Sequence, residues 1–154
     1  MLVKIHRMLF AYIVFAAASC HYKRKSSDKY TSVYLPKNDS ILLALKDTAL
    51  THLQIFIDSL TIHGQDTNNY KFQVKSRFAD DGIHEHMWSI IFKYNNGHFD
   101  GLFADSGFDV RNIKAGDKVR INRKDVEDWL IYNKKDNRTT GFYSEKYLKS
   151  KLKK

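Results

Sequence analysis

The chain is 154 residues long, which fits one domain plus an export segment. With 43% hydrophobic residues and a single proline it is not a low-complexity chain, and it holds enough apolar mass for a compact core. The net charge of +9 favours phosphates of lipid or nucleic acid without choosing between them, and the lone cysteine, Cys20, excludes an intramolecular disulfide.

The N-terminus reads as an address. Residues 1–7 carry Lys4 and Arg7 and no acid, and an apolar run follows. That run is shorter than the roughly 20 residues a bilayer span needs. It ends at Ala17-Ala18-Ser19-Cys20. This order resembles the bacterial lipobox, with Ala17 where Leu is usual. The resemblance implies a lipoprotein signal peptide over residues 1–19 and a lipid, palmitate included, on the Cys20 thiol. Loss of Lys4 and Arg7 takes the net charge from +9 to +7. Residues 20–37 then read as the lipidated cysteine and a basic tether holding Lys23, Arg24 and Lys25. Two or more acyl chains anchor a protein stably where one does not. Near an anionic membrane each basic side chain would add about 1 kcal/mol, and the favoured alternative is that the run is a solvated spacer.

Residues 38–154 read as a single α+β domain. Asn38-Asp39-Ser40 supplies N-cap residues. Leu42, Leu45, Ala49, Leu53, Phe56 and Leu60 recur at helical spacing, which predicts one long N-terminal helix over residues 40–61, stopped near Gly64. The period then falls to two. Tyr70, Phe72, Val74 and Phe78 alternate with Lys71, Gln73, Lys75 and Arg77, the pattern of a half-buried strand. His86, Trp88, Ile90, Phe92 and Tyr94 alternate likewise, and Asn95-Asn96-Gly97 predicts a hairpin of residues 85–94 and 98–104. Ala115-Gly116-Asp117 turns into a strand at residues 118–122. Residues 124–129 read as a helical turn, 130–133 as a short strand, and 141–143 as its partner. Ser144 caps a short C-terminal helix, with Glu145 in its first turn. The expected architecture is a long helix packed on an antiparallel sheet, open or curled into a small barrel.

Ordered pieces of this stretch carry a family resemblance. They are Phe72-Gln73-Val74-Lys75, Glu85-His86-Met87-Trp88, Gly101, Gly116-Asp117-Lys118-Val119, Asp128-Trp129 and Gly141-Phe142-Tyr143. In this order and spacing, residues 43–143 resemble the bacterial family called domain of unknown function 2314. The resemblance implies a shared fold and no assigned activity. It marks Trp88, Gly101, Gly116, Asp117, Trp129, Gly141 and Tyr143 as motif residues with structural roles.

Three side-chain sets invite chemistry. His84 and His86 share a strand face about 7 Å apart, and His98 from the partner strand would complete a metal site. The alternative reading is a satisfied strand entrance. Glu85, His86 and Asp128 offer an acid–base set, since a carboxylate can orient an imidazole that moves protons near neutral pH. No nucleophile motif accompanies them. Trp88, facing with Ile90 and Phe92, reads as core, with Asp128 a candidate partner for its indole N–H. Lys71-Phe72 and Arg77-Phe78 set charges opposite aromatics, which describes a wet face and a core face. No nucleic-acid partner is expected.

These readings favour a membrane-tethered lipoprotein of the cell envelope whose domain is a non-enzymatic binding or interaction module. Its expected partners are the membrane, through the lipid and the tether, and an envelope protein. No cofactor is expected beyond the lipid on Cys20. His21 stands where Asp would mark inner-membrane retention, so the expected location is the outer membrane, facing the periplasm. The alternative is a hydrolase-like envelope enzyme using Glu85, His86 and Asp128.

Overall fold

The computed structural model describes residue 36 and residues 38–152, and the expected signal peptide, Cys20 and most of the expected tether lie outside the described residues. The expected single N-terminal helix is two helices, α1 (Ser40–Thr51) and α2 (Leu53–His63), bent by 46°. The Asp39 side chain caps α1 by accepting the Leu42 N–H at 2.9 Å. The bend has a local cause. The hydroxyls of Thr48 and Thr51 donate to Ala44 O and Asp47 O, and His52 Nδ1 lies 2.9 Å from Thr48 O. Side chains that bond back to carbonyls one turn earlier bend helices. The predicted stripe survives the bend from Ala49 onward, with Ala49, Leu53, Phe56 and Leu60 buried, whereas Leu42 and Leu45 are only partly buried. Among the described residues no single helix is long and apolar enough to cross a membrane.

Six strands follow: β1 (Tyr70–Asp80), β2 (Ile83–Asn95), β3 (His98–Phe103), β4 (Lys118–Asn122), β5 (Val126–Asn133) and β6 (Arg138–Gly141). They form one antiparallel sheet in the order β4-β3-β2-β1-β5-β6. The sheet is open, not a barrel: β4 and β6 are free edges and do not pair with each other. Residues 123–125 make a short 3-10 turn, and the expected helical turn at 124–129 gives way to β5 from Val126 onward. A last helix, α3 (Glu145–Leu152), follows Ser144 as expected.

The helices α1 and α2 cover one sheet face. Phe72 and Val74 of β1, Ile91 of β2, Phe99 of β3, Ile121 of β4, and Val126, Trp129 and Ile131 of β5 form the core with Phe56 and Leu60. The phase of β2 differs from the predicted one. Met87, Ser89 and Ile91 point into the core, whereas Trp88 lies on the opposite face. A bulge at Phe92 then inserts one residue and returns Tyr94 to the core side, against Phe99. Both alternating sets of this strand are apolar, so a period of two does not choose between them. Trp129 is the fully buried tryptophan, and its indole N–H donates to Ala49 O of α1 at 2.8 Å.

Candidate functional site

Glu85 and His86 are consecutive on β2 and so project to opposite faces of the sheet. The Glu85 carboxylate accepts backbone N–H groups from Phe108 (2.9 Å), Asp109 (3.1 Å) and Val110 (3.3 Å). It therefore braces the long connection between β3 and β4. His86 Nδ1 meets Glu127 Oε2 at 2.5 Å, and Glu127 Oε1 lies 3.7 Å from Lys46 Nζ on α1. Burial works against the Glu127 charge, yet the His86 hydrogen bond and the charges of His86, Lys46 and Lys75 hold its carboxyl below the ordinary value. Asp128 is buried and fully committed. Its Oδ1 accepts the N–H groups of Trp129 (2.8 Å) and Tyr143 (3.1 Å). Its Oδ2 accepts the Ser144 N–H (2.8 Å) and hydroxyl (2.7 Å). The three acid–base candidates of the alternative reading thus serve three separate tasks. The expected bond between Asp128 and the Trp88 indole is not formed, because Asp128 holds the turn into α3 instead.

The three-histidine metal set does not assemble. His84 and His86 sit near one end of β2, whereas His98 pairs with Asn95 at the other. Nine residues of strand separate His86 from Asn95, about 30 Å at the usual rise. Among the described residues no three His, Cys, Asp or Glu side chains group as metal ligands.

The motif residues hold backbone and core. A Cβ on Gly101 would stand 2.0 Å from Ile90 O, so the β2 bulge needs glycine there. Gly116 turns the chain into β4, and Asp117 Oδ2 accepts the Lys114 N–H at 2.9 Å. Gly141 (φ +82°) passes directly over Trp129. The Tyr143 ring packs edge-on to Trp129 and stacks on His52.

Sequence reasoning missed Lys75. It sits mid-way along β1 on the face away from α1 and α2, directly opposite Trp88 of β2 and Asp128 of β5. Its Nζ is 5.9 Å from the Trp88 ring centroid. Phe142, bonded through its N–H to Trp129 O, brings its own ring within 5.6 Å of Trp88. The two rings therefore meet above β1, and Lys75 is partly buried beneath them. The alternation of Lys71, Gln73, Lys75 and Arg77 marks a wet face. Nothing in that pattern signals that residues more than 50 positions downstream cover one member of it.

A family profile described as "Uncharacterized protein conserved in bacteria (DUF2314)" matches residues 44–154. The chain belongs to this family. It is 30% identical over 105 residues to "Uncharacterized protein YegJ" of Escherichia coli (strain K12), covering 68% of this chain. It spans 62% of the length of that relative. No solved structure matches the chain. Four of the segments that carry the DUF2314 resemblance, those holding Lys75, Trp88, Asp128 and Phe142, meet at this one place on the outer face of the sheet.

Proposed function

We propose that this DUF2314 protein is a membrane-tethered lipoprotein of the bacterial cell envelope, held through Cys20, whose folded domain is a non-enzymatic binding or interaction module. The observation that carries the reading is the dispersal of the acid–base candidates. Glu85 serves three loop amides, Asp128 serves four donors, and His86 is paired with Glu127. A hydrolase-like site at Glu85, His86 and Asp128 would need these groups to converge on one substrate atom.

Charge distribution supports the tether half of the reading. Residues 20–37 hold five lysines and arginines against one acid, whereas the much longer domain, residues 38–154, holds 19 against 16. The basic excess is therefore concentrated beside the lipid-acceptor cysteine, where an anionic leaflet would be met. The domain itself has a basic excess of three over its whole length. The outer membrane, with the domain facing the periplasm, is the assigned location, following His21.

Affinity capture of the full-length lipidated protein from its native envelope tests the binding reading. A reproducible, stoichiometric envelope protein partner is expected. Turnover of an envelope substrate that is abolished by Glu85→Gln, His86→Gln and Asp128→Asn, each with its fold intact, would overturn it.

A further inference from the structure

The basic excess of the domain sits at one place. Residues 38–144 hold 14 lysines and arginines against 15 acids, whereas residues 145–154 hold five lysines and one acid, Glu145. The helix α3 opens that basic stretch, and its position is fixed at the root of the tether. The Tyr147 hydroxyl donates to Asp39 Oδ2 at 2.6 Å, and Asp39 is the N-cap of α1. Residues 20–37, five basic against one acid, therefore enter the domain beside α3.

Lys146, Lys149 and Ser150 stand at helical spacing on one face of α3. A cleft of about 450 Å³ opens there, and they line it with Phe142 and Glu145. Phe142 is held in place by its backbone, at φ +66° with its N–H bonded to Trp129 O at 2.7 Å. Strained residues of this kind collect at ligand sites. Glu145 pairs with Lys149 at 3.2 Å. Among the described residues Lys146 has no carboxylate within 4 Å. The cleft thus combines an aromatic wall with a net positive charge, and Leu152 at the end of α3 is 42% exposed.

We propose that α3 is a membrane-docking face: an anionic phospholipid headgroup of the leaflet that holds the tether seats in the cleft between Phe142, Lys146, Lys149 and Ser150. The inference rests on the domain being held at a membrane through Cys20, and it names the surface the domain presents there.

Charge complementarity and the tether root select the leaflet as occupant. Lysine binds phosphate as a point charge. Its stem can lie along apolar surface while the ammonium stays at the headgroups, and the Lys149 ammonium already stands 5.9 Å from the Phe142 ring centroid. A basic helix with exposed apolar side chains lies in the membrane interface on these terms. Each lysine brought to an anionic surface raises the docked population about fivefold. The tether makes that contact intramolecular, so a few lysines suffice where a free domain would need many.

Lysine footprinting of the full-length lipidated protein tests this directly. The protein is placed in phosphatidylcholine vesicles, or in the same vesicles with phosphatidylglycerol added, and vesicle-bound protein is recovered by flotation. A limiting, uncharged acetylating ester followed by peptide mass mapping reads each lysine. Lys146, Lys149 and Lys151 are expected to label at least about fivefold more slowly with phosphatidylglycerol, and about 0.5 M salt should restore them. Lys93 and Lys135, at the other end of the sheet, should not change. The double variant Lys146→Gln, Lys149→Gln should lose the protection of Lys151. Equal labelling of the α3 lysines in the two vesicles overturns the proposal. Protection in native envelope membranes but not in phosphatidylglycerol vesicles assigns the face to a protein partner and overturns it too. Neither result touches palmitate incorporation at Cys20, so the anchor and the docking face fail separately.

Discussion

Asp128 and Ser144 are joined twice: one carboxylate oxygen of Asp128 accepts both the backbone N–H of Ser144, at 2.8 Å, and its hydroxyl, at 2.7 Å. The other oxygen takes the N–H groups of Trp129 and Tyr143. One buried side chain on β5 thereby fixes the entry to α3 and the position of Tyr143 against Trp129. Asp128→Ala strands three backbone donors in a buried place. It should cost about 2–4 kcal/mol, read as a lower urea midpoint at unchanged slope. A loss below about 1 kcal/mol would mean that the turn is held by something else.

The two turn glycines Gly141 and Gly116 separate conformational strain from steric exclusion. Both lie at positive φ, but a Cβ at Gly116 meets nothing within 4 Å, whereas one at Gly141 would stand 2.3 Å from Trp129 O and 2.5 Å from its ring. Gly116→Ala should therefore cost about 1 kcal/mol. Gly141→Ala should cost about 3 kcal/mol or more, because the fully buried Trp129 has nowhere to move. Equal thermal shifts in the two variants would contradict the close approach.

Glu85 governs a loop rather than the whole domain. Removing its carboxylate in Glu85→Ala frees the amides of residues 108–110, which then turn to water. Global stability should fall by only about 1 kcal/mol. Chymotryptic cleavage after Phe108, already 63% exposed, should accelerate severalfold at native conditions. Unchanged cleavage in the variant would show that the loop keeps its shape without Glu85.

Glu127 gives the domain an acid-labile brace. Its folded value lies below the ordinary 4.5, so it binds protons less readily folded than unfolded. Its contribution is present above the unfolded value and is lost as pH falls through the folded one. Glu127→Gln should destabilise the domain by about 1 kcal/mol at pH 7 and progressively less below pH 4.5. A wild-type-minus-variant difference that holds constant from pH 7 to pH 3 would contradict this sign.

Particular residues explain what the sequence disclosed. The stripe of Ala49, Leu53, Phe56 and Leu60 and the Asn95-Asn96-Gly97 turn are local signals, and both appear in the structure where the pattern puts them. The bend at His52 depends on threonine hydroxyls choosing carbonyls over water, which spacing does not record. The phase of β2 was ambiguous because Met87 and Ile91 compete with Trp88 and Ile90, and the bulge at Phe92 breaks the period. The expected His84–His86–His98 set ignored strand length. The surroundings of Lys75 are a tertiary fact, since Asp128 and Phe142 arrive from more than 50 residues away.

The tether is the part of the account on which location and partners depend, and one measurement reaches it. Bacteria expressing the full-length protein are fed radiolabelled palmitate, beside a Cys20→Ala variant. The account predicts strong incorporation into the wild type, none into the variant, and loss of the variant from the membrane fraction. Undiminished labelling of Cys20→Ala would contradict it.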